Sequence, residues 1–450
     1  MSEKLEMIVN KLDEEICRDT FVNSESFLKR LEAEQKAGIL QDDRPICSFL
    51  RPHFHARSHY QKIVRAAETL SVAFERLAEA ALQNDEIMAE LDLTEKEERM
   101  ARIDPKYRRL CVSSRLDAFW DGEDFKFLEY NAETPAGIAD QMQMEKSVEM
   151  VPQVKQFLTE NRHWKPQPHV QLLEALVEAY REFGGKKAKP GIAIVDWRDV
   201  STFSEFLVLQ EYFESQGHPT IIADPRELEY DGEILRAGEF EIDVFYKRII
   251  IHEFLENFDE MHPLSRAYAD GKVCMANSFR TKIAHKKAGF AVLTDERWHS
   301  LFTSEQLKAV NRHIPWTRRL REAKTTFAGR EIDLLEFLRR ERERFLLKPN
   351  DDYGGKGITL GWEATETEWE IALENALQDS FIAQERAPGG KISIPALSDD
   401  LVEMQELLID FDPFLFNGKV EGGLVRLSAQ SIVNVTQGGG ETPLVVLEDF

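Results

Sequence analysis

Cysteine is scarce in this 450-residue chain: Cys17, Cys47, Cys111 and Cys274 stand far apart. Without paired short spacings they give neither a zinc knuckle nor a disulfide framework, and reduced thiols in a cytoplasm are the plain expectation. Positive charge is short as well. Lys and Arg number 57 against 81 Asp and Glu, a formal net charge of -24, which excludes nucleic acid or an anionic membrane as the main partner while leaving room for a local basic pocket. Long apolar runs are missing: no stretch nears the roughly 18 residues of a membrane span, and Met-Ser-Glu-Lys-Leu-Glu has no apolar signal core. A cytoplasmic location is therefore expected. What is present, 42% hydrophobic and 31% charged residues, is enough for a large core shared by two or three subdomains.

The most informative stretch is Ser114-Arg115-Leu116-Asp117 followed, after Asp121-Gly122, by Phe127-Leu128-Glu129-Tyr130-Asn131. Asp-Gly signals a tight turn, so the two segments read as a β-hairpin. Strand side chains alternate between faces. Arg115 then shares a face with Asp117, and Glu129 with Asn131, while Leu116, Leu128 and Tyr130 are expected on the other. With an odd-numbered loop, Asp117 stands opposite or diagonal to Glu129. Two carboxylates and an amide oxygen beside an arginine form a hard-oxygen donor set suited to Mg²⁺ carrying a nucleotide. A solvated hairpin face with cross-strand charge pairs gives the same pattern.

Residues 1–107, with apolar residues at helical spacing that is clearest from Tyr60 to Leu91, are expected to form a helical N-terminal region that packs rather than reacts. Residues 108–186 carry the hairpin and then helix, ended by Gly184-Gly185 and Pro190. Between 187 and 276, apolar β runs starting at Gly191, Thr220 and Ile242 alternate with helix-like sequence, the signature of βαβ units in a Rossmann-like layer. Its first turn, Asp196-Trp197-Arg198-Asp199, lacks G-x-G-x-x-G, so dinucleotide binding has no support. Residues 277–450 read as charged helices, then strands around a glycine-rich loop, with hairpin turns expected at Asn417-Gly418 and Gly422-Gly423. The expected fold class is α/β.

The glycine-rich loop follows Phe345-Leu346-Leu347-Lys348-Pro349 and runs through Tyr353-Gly354-Gly355-Lys356-Gly357. Its glycines admit backbone N–H groups close to a polyphosphate, and Lys356 adds a cation among them. It is not a Walker A loop, which needs glycine where Asn350 stands and a hydroxyl where Gly357 stands. A hairpin turn with a surface lysine fits the same window. In context, Lys348 on the entering strand is placed to meet an α- or β-phosphate, and Gln384-Glu385, ending a later β run, to read adenine. An edge-strand lysine and an exposed Glu385 are the plain structural alternatives.

Together, Arg-Leu-Asp at 115–117, Glu-Tyr-Asn at 129–131 and the later Lys-Pro...Tyr-Gly-Gly-Lys-Gly resemble the circularly permuted ATP-grasp enzymes of the glutathionylspermidine synthase type. In ordinary ATP-grasp chains the glycine loop precedes the Glu-x-Asn metal strand; here the order is reversed. Tyr246-Lys247-Arg248, Leu424-Val425-Arg426 and the run from Val433 through Asn434 and Gln437 to Gly440 extend the resemblance from about 110 to 440. It implies a permuted ATP-grasp fold with a Rossmann-like pre-ATP-grasp domain at 187–276, and ATP with Mg²⁺ as cofactors. Asp117, Glu129 and Asn131 would be metal ligands, and Arg115 would face the transferred phosphoryl. Lys348, Gly354, Gly355, Lys356 and Gly357 would hold phosphates under a closing loop, and Gln384 and Glu385 would line adenine and ribose. A further phosphate-binding lysine is expected before a helix at 288–301, where Lys287 fits best and Lys282 and Lys286 stand close. Lys247 replaces the first of two family arginines, and Glu441-Thr442-Pro443 replaces a common Lys-Asp, so substrate identity does not carry over.

The activity so implied is ATP-dependent joining of a small-molecule or peptide carboxylate to an amine through an acyl phosphate, with Arg198, Arg248 and Arg426 as carboxylate anchors or structural ion pairs. A nucleotide-binding regulator without turnover and a phosphotransferase are the alternative readings of the same residues.

Overall fold

The computed structural model describes residues 3–38, 40–41, 44–121, 124–352, 354–398, 401–431, 433 and 438–448. Gly122, Tyr353 and residues 434–437, on which parts of the turn, loop and C-terminal expectations fell, lie outside them. The hairpin forms from strands Ser113–Trp120 and Phe125–Asn131, with Arg115 opposite Asn131 and Asp117 opposite Glu129. One step further the register slips, pairing Ala118 with Phe127 and leaving Leu128 unmatched. A bulge sets two residues of one strand against one of the other. Leu128 therefore joins Glu129 in lining the cleft instead of taking the buried face that strict alternation assigns it. Leu116, Phe127 and Tyr130 keep the opposite face and are buried.

Against that face lies the 27-residue helix Arg57–Gln83. Its Tyr60, Ile63, Ala67, Leu70, Phe74, Leu77 and Ala81 recur every three or four positions and form one apolar stripe. Phe74 meets Tyr130 with ring centroids 4.6 Å apart. Each such large side chain contributes roughly 1.5–3 kcal/mol on burial. The seam thereby decides which hairpin face is left for polar residues.

The hairpin is extended into a six-stranded sheet by strands from the other end of the chain. Leu401–Phe416 pairs with Ser113–Trp120 and is flanked by Gly390–Ser398 and Lys419–Ser428. Leu444–Leu447 runs parallel to His53–Ala56 in a smaller sheet. Asn417 and Gly418 join two of the long strands with φ of 48° and 76°, the left-handed pair that a two-residue type I′ turn requires. Gly422-Gly423 is not a second turn. It lies inside Lys419–Ser428, where Gly422 takes φ 69° beside a register shift opposite Pro413 and Leu415.

Ile192–Val195, Thr220–Ala223, Val244–Lys247 and Cys274–Ala276 make the expected parallel layer. A further sheet is antiparallel and contains Thr317–Arg319, Phe381–Glu385, Phe345–Pro349 and Thr359–Leu360. Helices Leu334–Arg340 and Glu366–Ala376 back it through Leu338, Trp369 and Leu373. The fold is thus mixed α/β. Asn277, just past the parallel layer, ties that layer to the hairpin: its Oδ1 accepts from the amides of Val112 at 2.7 Å and Ser113 at 3.2 Å. Its Nδ2 donates to the carbonyls of Ser113, Ala132 and Glu133 at 2.6, 2.9 and 3.0 Å.

Asn277→Ala strands several buried backbone groups at once and is expected to cost about 3 kcal/mol or more. The readout is a lower urea midpoint with an unchanged slope; an unmoved midpoint would mean that this amide does not hold the hairpin.

Candidate functional site

A cleft opens between the six-stranded sheet and the sheet of Phe345–Pro349. One cavity of about 160 Å³ is lined by Arg115, Asp117, Glu129, Asn131, Lys348, Gly354 and Gly355, with Leu346, Ile358, Leu360 and Trp362 as an apolar wall. A second, of about 610 Å³, adjoins it and shares Arg115, Asn131, Gly354 and Arg426. Arg115 stands at their boundary.

Arg115 grips Asp117 with two prongs, Nε to Oδ1 at 2.8 Å and Nη2 to Oδ2 at 3.0 Å, while Nη1 donates to the Ala136 carbonyl at 2.8 Å. Arg426 brings Nη2 within 2.9 Å of Asp117, 2.7 Å of Asp410 and 2.9 Å of Asp412. Burial alone would raise the Asp117 carboxyl, but Arg115 and Arg426 outweigh it and hold it down at about 2. At Asp410 burial wins and pushes the carboxyl up to about 6; Asp412 is lifted well above the usual Asp range for the same reason. Sequence reading missed both. Their signal was the alternation Ile409-Asp410-Phe411-Asp412 within the apolar second half of its strand, from Leu407 to Phe416, which points two acids at one face.

Glu129 is flanked by lysines. Lys287 Nζ lies 3.2 Å from Glu129 Oε1 and donates to the Asp352 carbonyl at 2.5 Å. Lys348 Nζ donates to the Leu128 carbonyl at 3.3 Å and to Gln384 Oε1 at 3.0 Å. Burial draws the Lys348 ammonium down to about 8, against the opposing pull of Glu129. At Glu129 burial again disfavours the charge, yet Lys287 and Lys348 leave the carboxyl below its ordinary value. Lys282 and Lys286 point elsewhere: Lys282 meets Glu133 at 2.8 Å and Asp351 at 2.5 Å, and Lys286 meets Asp351 at 2.6 Å and Glu97 at 3.0 Å. Of the three lysines, Lys287 is the one whose ammonium reaches Glu129.

The glycine loop borders the cavity through Gly354 and Gly355, and Gly354, Gly355 and Gly357 take φ of 70°, 73° and 68°. Lys356 and Gly357 are exposed. Gln384 and Glu385 separate, as adjacent strand positions must. Gln384 is buried, bonding Lys348 and donating to Thr317 Oγ1 at 3.2 Å, whereas Glu385 turns to Arg344 Nη2 at 3.0 Å, away from the cavity lining. Arg198 pairs with Glu227 at the surface, and Arg248, which lines the larger cavity, pairs with Glu205 at 3.3 Å. The oxygen set fits a hard divalent cation. Asp117 and Glu129 are held ionised directly opposite each other, and Asn131, next along the same face, helps to keep Asp117 ionised. Mg²⁺ takes one or two carboxylates of this kind and fills its shell with water and phosphate oxygens.

Arg426→Ala removes the cation between Asp410 and Asp412 and is expected to cost about 3–5 kcal/mol near neutral pH. Both carboxyls are raised by burial, so the folded variant can neutralise them with protons in acid. The deficit is therefore smallest at low pH and grows as pH rises above about 6. Urea unfolding across that range is the check, and a deficit independent of pH would refute the pairing.

Residues 53–255 match the family model described as glutathionylspermidine synthase preATP-grasp. No curated protein matches the sequence. Among solved structures, the chain is similar to a glutathione synthetase-like effector from Globodera pallida, at 14% identity and TM-score 0.60, covering 93% of this chain and 95% of that one. A protein described as a gamma-glutamylcysteine synthetase from Methylobacillus flagellatus aligns at 11% identity and TM-score 0.42, covering 85% of each chain. A RimK domain ATP-grasp protein from Sphaerobacter thermophilus aligns at 14% identity and TM-score 0.28, over 58% of this chain and 92% of that one. The chain thus resembles glutathionylspermidine synthase in its preATP-grasp part, residues 53–255, and shares its α/β fold over 93% of its length with a glutathione synthetase-like protein.

Proposed function

We propose that this chain is an ATP-dependent ligase of the permuted ATP-grasp type, joining a carboxylate to an amine. The observation that carries the reading is the facing pair Asp117 and Glu129, bracketed by Arg115 and Arg426 on one side and by Lys287, Lys348 and the glycine loop on the other. The preATP-grasp match and the glutathione synthetase-like fold support it. So does chain order, in which the acid-bearing hairpin precedes the glycine loop and is completed by C-terminal strands.

Asp117, Glu129 and Asn131 would hold Mg²⁺, which supplies charge neutralisation on the nucleotide phosphates when bound. Lys287, Lys348 and the backbone of Gly354 and Gly355 hold the phosphates, and the apolar wall of Leu346, Ile358, Leu360 and Trp362 takes the base. A substrate carboxylate oxygen attacks the γ-phosphorus, the bond to the bridging oxygen breaks and ADP leaves. Arg115, at the boundary of the two cavities, stabilises the charge that develops there. An amine then displaces phosphate from the acyl phosphate in the larger cavity. No side-chain nucleophile is needed; the protein positions the reactants and keeps water from the acyl phosphate.

The expected result is ADP release only when both a carboxylate and an amine are supplied. Phosphorylated acceptor would favour a phosphotransferase, and nucleotide binding without ADP a regulator. Asp117→Asn should abolish turnover, and undiminished ADP formation would sink the metal role; Arg115→Ala should lower kcat about 10²–10³-fold. ATP affinity should weaken as pH rises past about 8, where the free site loses the Lys348 charge. Titration of ATP binding against pH tests this, because Lys348→Arg, which stays protonated, should flatten the profile.

A further inference from the structure

The ligase reading leaves one wall of the larger cavity unused. Asp140, at the start of helix Asp140–Val148, and Glu441, in the short strand Gly440–Glu441, both line it and are each 5% exposed. Neither Asp140 Oδ1 nor Glu441 Oε2 receives a hydrogen bond from any donor among the described residues. The two carboxyls act on each other so as to favour a proton on Asp140. Ionised carboxylates only accept, so two that share a buried wall are best satisfied with a proton between them. Glu205, nearby, shows what a satisfied carboxylate looks like here. Its Oε1 accepts from the amides of Ile138 at 2.8 Å and Ala139 at 3.4 Å, and its Oε2 from Arg248 at 3.3 Å.

The charged groups around the pair are Arg115 and Arg426 from the six-stranded sheet and Glu205 from helix Phe203–Ser215. Burial outweighs the arginines, lifting Glu441 to about 7 and Asp140 well above the usual Asp range. The two titrate as a unit. Two fully ionised carboxylates would clamp an ammonium and keep it protonated. A pair already holding one proton carries a single negative charge and has room for one proton more.

We propose that Asp140 and Glu441 together are the proton acceptor for the attacking amine, an assignment that rests on the ligase reading. The amine arrives as R–NH₃⁺ and passes one proton to the pair, which frees the nitrogen lone pair. The lone pair forms the C–N bond at the acyl carbon while the C–O bond to phosphate breaks, its electrons leaving on phosphate. The second nitrogen proton goes to that phosphate, giving HPO₄²⁻, and the carboxyl pair returns its extra proton to solvent. Arg115, shared by both cavities, sets the acyl carbon at the edge of the cavity that the pair lines.

Infrared difference titration of the full chain in D₂O reads the shared proton without substrate. The unsubstituted protein should show a protonated-carboxyl carbonyl component, beyond that of Asp410 and Asp412, that weakens as pH rises past about 7 and the pair goes from two protons to one, and Asp140→Asn and Glu441→Gln should each remove that component. The kinetic arm compares ethylamine with hydroxylamine, which is uncharged at neutral pH and needs no acceptor, using amino acids and short peptides as the acids. In both variants the ratio of amide to hydroxamate should fall about a hundredfold. A missing infrared band, or equal loss with both nucleophiles, overturns the assignment. If the unsubstituted protein makes neither product, the ligase reading fails and takes the acceptor role with it, a result distinct from the infrared one.

Discussion

Carboxylates taken out of water at the floor of the cleft must find their counter-charge inside the protein, and this requirement holds distant parts of the chain together. An unpaired buried charge costs several kcal/mol. Asp117 is therefore gripped by Arg115 from its own strand and by Arg426 from a strand more than half the chain away. Arg426 in turn neutralises Asp410 and Asp412 on the strand between them. The N-terminal hairpin and the C-terminal strands are thus joined twice, by backbone pairing on the sheet and by a charge network above it. On the other flank, Lys287, just before helix Ala288–Thr294, and Lys348, on strand Phe345–Pro349, converge on Glu129.

The same rule separates the fixed base of the glycine loop from its tip. Asn350 accepts from the Ala288 amide at 2.8 Å and donates to the Leu91 carbonyl at 2.9 Å and Ser380 Oγ at 3.0 Å. Asp351 is clamped by Lys282 and Lys286. Beyond Asp352 the glycines take left-handed conformations that other residues adopt only with strain. Lys287, touching both Asp352 and Glu129, links the base of the loop to the acid pair.

Much of this was legible in the sequence because β alternation is a strict rule. It set Arg115, Asp117, Glu129 and Asn131 on one surface, and Asp117 does stand opposite Glu129. It failed at Leu128, since a bulge leaves no compositional mark when the extra residue is apolar. The same alternation, applied to Gln384-Glu385, parts two residues that a common adenine role would hold together. Asp410 and Asp412 were within reach of it too, but acids in a long apolar strand look like solvent-facing positions until a partner such as Arg426 is known. The choice among Lys282, Lys286 and Lys287 depends on where Asp351 and Glu129 lie in space, which no local pattern encodes. Asp140 and Glu441 are separated by 300 positions in the sequence, and only folding makes them a pair.

The charges of the site are balanced by contacts that a metal nucleotide, on the proposed reading, would exchange rather than merely add to. Asp117 and Glu129 are ionised because arginines and lysines stand where a divalent cation's charge would otherwise act. Lys348 is drawn toward neutrality by burial, with Glu129 as its main opposing charge. On that reading a metal nucleotide would bring replacement partners for both: positive charge for the carboxylates and phosphate oxygens for the lysines. The cations would then pair with phosphate in place of carboxylate, so affinity, on the same reading, would come from the difference between two well-paired states. That difference is small for any one contact. On the proposed reading a ligand carrying both a metal and a polyphosphate would be favoured, because only the two together replace the partners that carboxylates and lysines give up.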